Sequence, residues 1–353
     1  MKPEKHSLLP INVKFTPHIN AIMKAIIPVA GAGTQLRPLT YTQPKPLIPV
    51  AGKPIISFIV DRLLMLGVEE FIFVIGYLGD KIKEYIEQHY PDLNKQFVLQ
   101  EHRLGTGHAI WSAREVLRGA DELFIFFGDT IVEMDFDEMI HSPTSCFAVK
   151  KVAEPRGFGI VEFDPQDKVK RVVEKPKIPM SNMAMVGLYK IREVDALLAA
   201  LEHNIAQGIR SESEFALTDG LMRMIEQGIP FKAIQVNNWY DCGKKETLLE
   251  TNALLLDKAG YASSHLPEYD NSIIIQPVSI GKDCRISNAI IGPHVTIGYN
   301  ARIESSIVKE SIIGNYASLN EVVLKNSVIG NDTSITGFRQ SLNIGDNTEI
   351  DFR

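Results

Sequence analysis

The stretch Ile26-Ile27-Pro28-Val29-Ala30-Gly31-Ala32-Gly33-Thr34-Gln35-Leu36-Arg37-Pro38-Leu39-Thr40 decides how the larger part of the chain is read. An apolar run over 24–29 enters a small-residue turn, and cationic side chains follow at Arg37 and Lys45. Outward from it, 71–75 and 123–127 are further short apolar runs, as expected of strands buried on both faces. Between them 55–66, 81–88 and 107–117 carry helical spacing. This alternation predicts an α/β domain over residues 23–258 with a Rossmann-like, mostly parallel sheet. Ligands of such sheets sit outside the carboxyl ends of the strands, which directs attention to the loops after Val29, Ile75 and Phe127.

The pattern changes near Asp270. Ile-Gly pairs return at 280, 297, 313, 329 and 344, and within each return an aliphatic recurs every five or six residues, through Ile286, Ile291, Ile303, Val308, Leu319 and Leu324. No helix has that period. A parallel β-helix does, with one aliphatic from each flat side entering a narrow core. The pattern resembles the hexapeptide-repeat left-handed β-helix, which is the expectation for residues 259–353. The five-residue steps predict irregular corners. His294, in Ile-Gly-Pro-His-Val-Thr, reads as an outward position.

The 353 residues suffice for two domains with cores of their own. A net charge of −6 argues against nucleic acid as a partner. No apolar run approaches the roughly 18 residues of a membrane span. Cys146, Cys242 and Cys284 are far apart and match no zinc or disulfide spacing, so a reduced, cytoplasmic setting is expected. Residues 1–22 lack a sustained period and a signal-peptide pattern; they read as a flexible extension or as a start codon placed too early.

Successive amides of a tight small-residue turn form an anion nest, and glycines let a phosphate approach the main chain. A dinucleotide fingerprint would need glycine at Leu36, and a P-loop would end in Gly-Lys-Ser/Thr; neither is present. The extended motif is more specific. The turn through Thr40, then Pro44-Lys45-Pro46-Leu47-Ile48-Pro49-Val50 and Gly52-Lys53-Pro54, resembles the signature of sugar-1-phosphate nucleotidyltransferases. The resemblance continues in order through Leu99-Gln100, Leu104-Gly105-Thr106-Gly107-His108-Ala109, Phe127-Gly128-Asp129, Phe158-Gly159-Ile160-Val161-Glu162, Glu174-Lys175-Pro176, Val186-Gly187-Leu188-Tyr189 and Trp239-Tyr240-Asp241-Cys242-Gly243.

That resemblance implies a set of roles. Ala30, Gly31, Gly33 and Thr34 would cradle the triphosphate, with Gln100, Gly105 and Thr106 at the base. Lys45 would neutralise phosphate charge during attack. Asp129 and Asp241 would hold Mg²⁺, a hard cation that takes oxygen ligands. Gly159, Glu174 and Lys175 would receive the sugar phosphate. Asp219 reads as a helix-positioning residue. Gln35 departs from the pattern, which has arginine there; the missing charge implies a slower enzyme, with Arg37 as a candidate substitute.

The implied reaction joins a nucleoside triphosphate, dTTP or UTP, to a sugar 1-phosphate and releases pyrophosphate, with glucose 1-phosphate as the favoured acceptor. The Leu99–Ala109 segments are also similar to N-acetylglucosamine-1-phosphate uridylyltransferases. Two other classes stay open: a nucleotide-sugar-binding regulatory protein weakened at Gln35, and an acyltransferase of the β-helix kind. The repeats imply an assembly module and a homo-oligomer.

Overall fold

The computed structural model describes residues 23–337. The expected extension over 1–22 and the return at Ile344-Gly345 lie outside the described residues. The chain divides into two compact units between Thr251 and Asn252.

The first unit is built on a nine-stranded sheet. Met23–Pro28 lies between Glu70–Ile75 and Glu122–Phe126, with Lys95–Leu99 beyond, and these pairings are parallel. Ala25, Ile26, Ile27, Phe71, Ile72, Phe73 and Val74 are fully buried, which is why these strands read as continuous apolar runs. The helices Ile55–Met65 and Gly79–His89 follow the expected spacing. The expected helix over 107–117 is instead two, Thr106–Ser112 and Arg114–Leu117. The Ala113 amide reaches back only three residues to Ile110, at 3.0 Å, and this tight turn breaks the α-helical ladder.

The other half of the sheet is mixed: Phe231–Gln235 pairs parallel with Ser145–Lys151, and the remaining pairings are antiparallel, which the β/α alternation did not predict. One edge of Met183–Ile191 pairs with Ser145–Lys151. Its other edge is divided: Ala184 pairs with Ile160, whereas Leu188–Ile191 pair with the strand ending at Phe126. The change of partner coincides with a register shift between Met185 and Tyr189. Gly187 lies inside it at φ +83°, and a side chain there would meet the Phe127 ring. The segments Phe127-Gly128-Asp129 and Phe158-Gly159 therefore both emerge at this gap in the sheet. Among the described residues, no helix is long and apolar enough to cross a membrane.

The second unit is a three-sided parallel solenoid consistent with the expected left-handed β-helix. Its flat sides are stacks such as Val278–Ile280, Val295–Ile297, Ile312–Ile313 and Val328–Ile329. Ile286, Ile291, Ile297, Ile303, Val308, Ile313 and Leu319 fill the axis. The irregular corners are turned by left-handed residues that include Asn288, His294, Asn300, Glu310, Tyr316 and Asn326. Corner serines join successive coils: the Ser306 and Ser311 hydroxyls accept from the amides of Val322 and Ser327, at 3.1 and 3.0 Å. His294 sits at such a corner, with Nε2 2.9 Å from Asp257.

Candidate active site

The first strand ends at Pro28, and the next residues form the turn. The Val29 amide still donates to the Val74 carbonyl at 2.8 Å, so the turn starts from a fixed edge. Gly33 adopts φ +59° and ψ +41° and opens a short 3₁₀ turn over Thr34–Leu36. The Thr40 hydroxyl donates to the Gly33 carbonyl at 2.8 Å and holds the loop closed. Gln35 is exposed and makes no hydrogen bond among the described residues. Arg37, the candidate substitute for the missing charge, is held with its guanidinium 5.0 Å from the Tyr41 ring centroid.

Lys45 follows the extended Pro44 and opens the third 3₁₀ turn of this stretch, after Thr34–Leu36 and Leu39–Tyr41. Its Nζ donates to Asp129 Oδ2 at 2.6 Å. Asp129 belongs to the loop after Glu122–Phe126, and its carbonyl accepts from the Cys242 amide at 3.1 Å. The antiparallel pairing of Thr130–Glu133 with Asn238–Asp241 sets Asp241 opposite Thr130, and so brings a second carboxylate to the first across more than a hundred residues. Burial raises the pKa of Asp241, and the neighbouring Asp129 raises it further, while Lys45 opposes both. The Gly243 amide donates to Asp241 Oδ1 at 2.9 Å and orients it.

These two carboxylates fit a hard divalent cation. They repel one another, they offer only oxygen, and an ammonium already lies against one of them. Among the described residues no set of three or more His, Cys, Asp or Glu side chains could enclose a metal.

Gln100 lies at the end of Lys95–Leu99 and is 5% exposed. Its amide nitrogen donates to the Gly105 carbonyl at 3.1 Å and lies 3.0 Å from His108 Nδ1. Gly105 has φ +109°, and a Cβ there would meet the Phe215 carbonyl at 2.7 Å, so glycine is required on both counts. The Thr106 hydroxyl accepts from the Leu217 amide at 3.0 Å, so this side chain ties two loops together. The hydroxyl proton stays available to donate.

Gly159 faces a third cluster. A Cβ on it would meet Met185 Cε at 2.7 Å, Glu174 Oε2 at 3.1 Å and the Thr218 hydroxyl at 3.1 Å. Thr218 donates to Glu174 Oε2 at 2.6 Å and fixes the carboxylate. Lys175, at φ +38°, has its Nζ 3.8 Å from Glu174 Oε1. Phe158 packs edge-on against Trp239 at 4.8 Å, which links this cluster to the strand that carries Asp241. Asp219 lies in the first turn of helix Leu217–Glu226 and its Oδ1 accepts from the Ser211 hydroxyl at 2.8 Å, which ties the helix start to the preceding loop.

The sequence-derived residues thus fall into a turn (Ala30, Gly31, Gly33, Thr34, Gln35), a charged centre (Lys45, Asp129, Asp241), a base-side cluster (Gln100, Gly105) and a Gly159, Glu174, Lys175 cluster. Direct contacts join Lys45 to Asp129, Gln100 to Gly105 and Glu174 to Lys175. Sequence reasoning missed Thr218 and His108. Each acts through another residue, and only its place inside a quoted motif or next to Asp219 could have drawn attention to it.

A family model described as nucleotidyl transferase matches residues 24–258. The bifunctional protein GlmU of Methanococcus maripaludis is 36% identical over 239 residues, 67% of this chain and 55% of that protein. The chain therefore spans about half the length of such relatives. A glucose-1-phosphate thymidylyltransferase of Streptomyces griseus is 27% identical over 325 residues, 85% of this chain and 89% of that protein. A crystal structure of UDP-glucose pyrophosphorylase with UDP-glucose aligns with a TM-score of 0.59 at 23% identity, covering 66% of this chain and 98% of that one, and so shares its fold.

Proposed function

The chain belongs to the nucleotidyl transferase family, and we propose that it transfers a nucleotidyl group from dTTP or UTP to a sugar 1-phosphate, glucose 1-phosphate foremost, and releases pyrophosphate. The observation that carries this reading is the charged centre: Lys45 against Asp129, with Asp241 beside them, at the sheet gap where Gly159 also emerges.

A phosphate oxygen of the sugar 1-phosphate attacks the α-phosphorus in line. The new P–O bond forms as the bond to the bridging oxygen breaks, and the β- and γ-phosphates leave as pyrophosphate. Positioning and charge stabilisation account for the catalysis. The amides over 30–34 hold the triphosphate. Lys45 neutralises charge at the α-phosphate. Gln100 meets the base edge, and the main chain at Gly105 and Thr106 lies beside it. Glu174, fixed by Thr218, accepts from sugar hydroxyls, and Lys175 meets the sugar phosphate. Asp129 and Asp241 would hold Mg²⁺, which when bound adds positive charge on the phosphate oxygens. A cytoplasmic setting accords with three free thiols, and the solenoid is the candidate assembly module of a homo-oligomer.

The test is a pyrophosphate-release screen with Mg²⁺, in which four nucleoside triphosphates are crossed with glucose 1-phosphate, N-acetylglucosamine 1-phosphate and other sugar 1-phosphates. Release with a pyrimidine nucleotide, abolished by a chelator, is expected. Tight calorimetric binding without any release sinks the enzyme reading and favours a regulatory protein. Light scattering in the same buffer reads the assembly state, and a single-chain mass excludes the oligomer.

Gln35 provides a second check. It is exposed on the turn and brings no charge to the triphosphate. Gln35→Arg is expected to raise turnover by at least about tenfold, since one preorganised donor to developing charge is worth ~3 kcal/mol. Steady-state kinetics that show no gain mean the missing charge is not limiting.

A further inference from the structure

Gln100 is a symmetric-looking reader, because a primary amide offers an acceptor on one side and a donor on the other. Which side meets a base depends on what holds the rest of the amide. The Gly105 carbonyl can only accept, so the Gln100 atom 3.1 Å from it must be the nitrogen. That carbonyl cannot turn away, because Gly105 is pinned at φ +109° against the Phe215 backbone. The same nitrogen lies 3.0 Å from His108 Nδ1. Nδ1 must then be the acceptor, and the imidazole is neutral with its proton on Nε2. Burial, and secondarily His102, push the His108 pKa down, in keeping with that form. The Trp111 ring packs 5.9 Å from the imidazole, and Ser112 Oγ, whose proton goes to the His108 carbonyl at 2.8 Å, lies farther from Nδ1 than Gln100 does, at 3.5 Å.

Both amide protons of Gln100 are thereby engaged inside the protein, and Oε1 is the atom left for a ligand. An amide oxygen accepts and does not donate. Its complement is a ring N–H, such as N3–H of uracil or thymine. In cytosine N3 is itself an acceptor, so the two lone pairs would face each other. Reversing the amide would set Oε1 against two acceptors at once, the Gly105 carbonyl and His108 Nδ1.

We infer that His108 is a positioning residue that fixes the orientation of the Gln100 amide and through it the preference of the site for a base that donates a ring N–H. The inference rests on the reading of this site as a nucleotide site. It assigns the discrimination between uracil and cytosine to a residue on the helix Thr106–Ser112 that need not touch the base.

The test compares UTP and CTP binding by calorimetry, on the full chain with Mg²⁺, for the wild type, His108→Leu and His108→Asn. Leucine removes the acceptor. Asparagine can place Oδ1 where Nδ1 stood and restores it. The wild type is expected to favour UTP. In His108→Leu the ratio of the two dissociation constants should narrow about fivefold, the worth of one hydrogen bond of ordinary strength. His108→Asn should keep most of the wild-type ratio. A merely structural role would weaken both nucleotides alike and leave the ratio unchanged, and that result overturns the inference while leaving the nucleotide site intact. An equal narrowing in the leucine and asparagine variants overturns it as well. A wild type that binds neither nucleotide overturns the site reading, and the inference with it.

Discussion

Replacing Asp129 with asparagine is expected to lower turnover about a thousandfold and to leave the chain about as stable as before. The catalytic loss follows from the donor set. Asp129 supplies one of the two carboxylates at the charged centre, and an amide there weakens the hold on a divalent cation that stabilises charge on phosphate. Removing one such preorganised electrostatic element costs on the order of 4 kcal/mol of transition-state stabilisation. The stability argument has two opposed parts. Asp129 raises the pKa of Asp241, which is the signature of repulsion between them, so asparagine relieves Asp241. It also deprives Lys45 of a charged partner 2.6 Å away. Asp129 is 41% exposed, so solvent screens both effects, and the net change is expected within about 1 kcal/mol. Single-turnover kinetics and thermal melts read the two quantities separately. A variant that keeps a tenth or more of wild-type turnover contradicts the role given to Asp129. One that unfolds at much lower temperature makes Asp129 a structural residue.

Lys45→Met shifts the same balance in the other direction. The methionine keeps most of the aliphatic stem and removes the ammonium. Turnover is expected to fall about a hundredfold, the low end of the cost of losing one charge-stabilising donor. Here stability should fall too. Lys45 is 12% exposed and opposes the burial and repulsion that raise the Asp241 pKa, so its loss leaves two carboxylates facing each other without their cation. A loss of roughly 1 kcal/mol is expected, because breaking one side of a partly buried pair leaves the other uncompensated. Mg²⁺ should then raise the melting temperature of Lys45→Met more than that of the wild type, where the ammonium competes for Asp129. Equal shifts in both proteins would show that the ammonium and the metal do not share Asp129.

The first strand, its turn and the solenoid were legible in the sequence for the same reason. Each is specified by neighbours along the chain. A strand buried on both faces must be apolar throughout, and a coil of a β-helix must return an aliphatic to the axis at each flat side, so burial leaves a periodic trace. The antiparallel pairings of the sheet leave no such trace. Met183–Ile191 is apolar almost throughout, and nothing in that run states that one edge is shared between two partners. The break at Ala113 was hidden as well, because alanine suits a helix and a tight turn alike.

The site divides in the same way. Ala30, Gly33, Lys45, Gln100, Asp129, Glu174 and Asp241 stand in short motifs whose residue types already name their chemistry. Their sequence did not reveal Thr218 on Glu174 or His108 on Gln100, because a hydrogen bond between side chains depends on where two elements pack. The order of motifs determined the family and the kind of chemistry, since main-chain turns, charges and carboxylates are local properties. Only the tertiary structure decided that Asp241 meets Asp129, that Arg37 lies over Tyr41, and that the Gln100 amide nitrogen turns to the Gly105 carbonyl. Each of these is set by strand register or by the direction of a single donor, and neither is written in the spacing of residues along a chain.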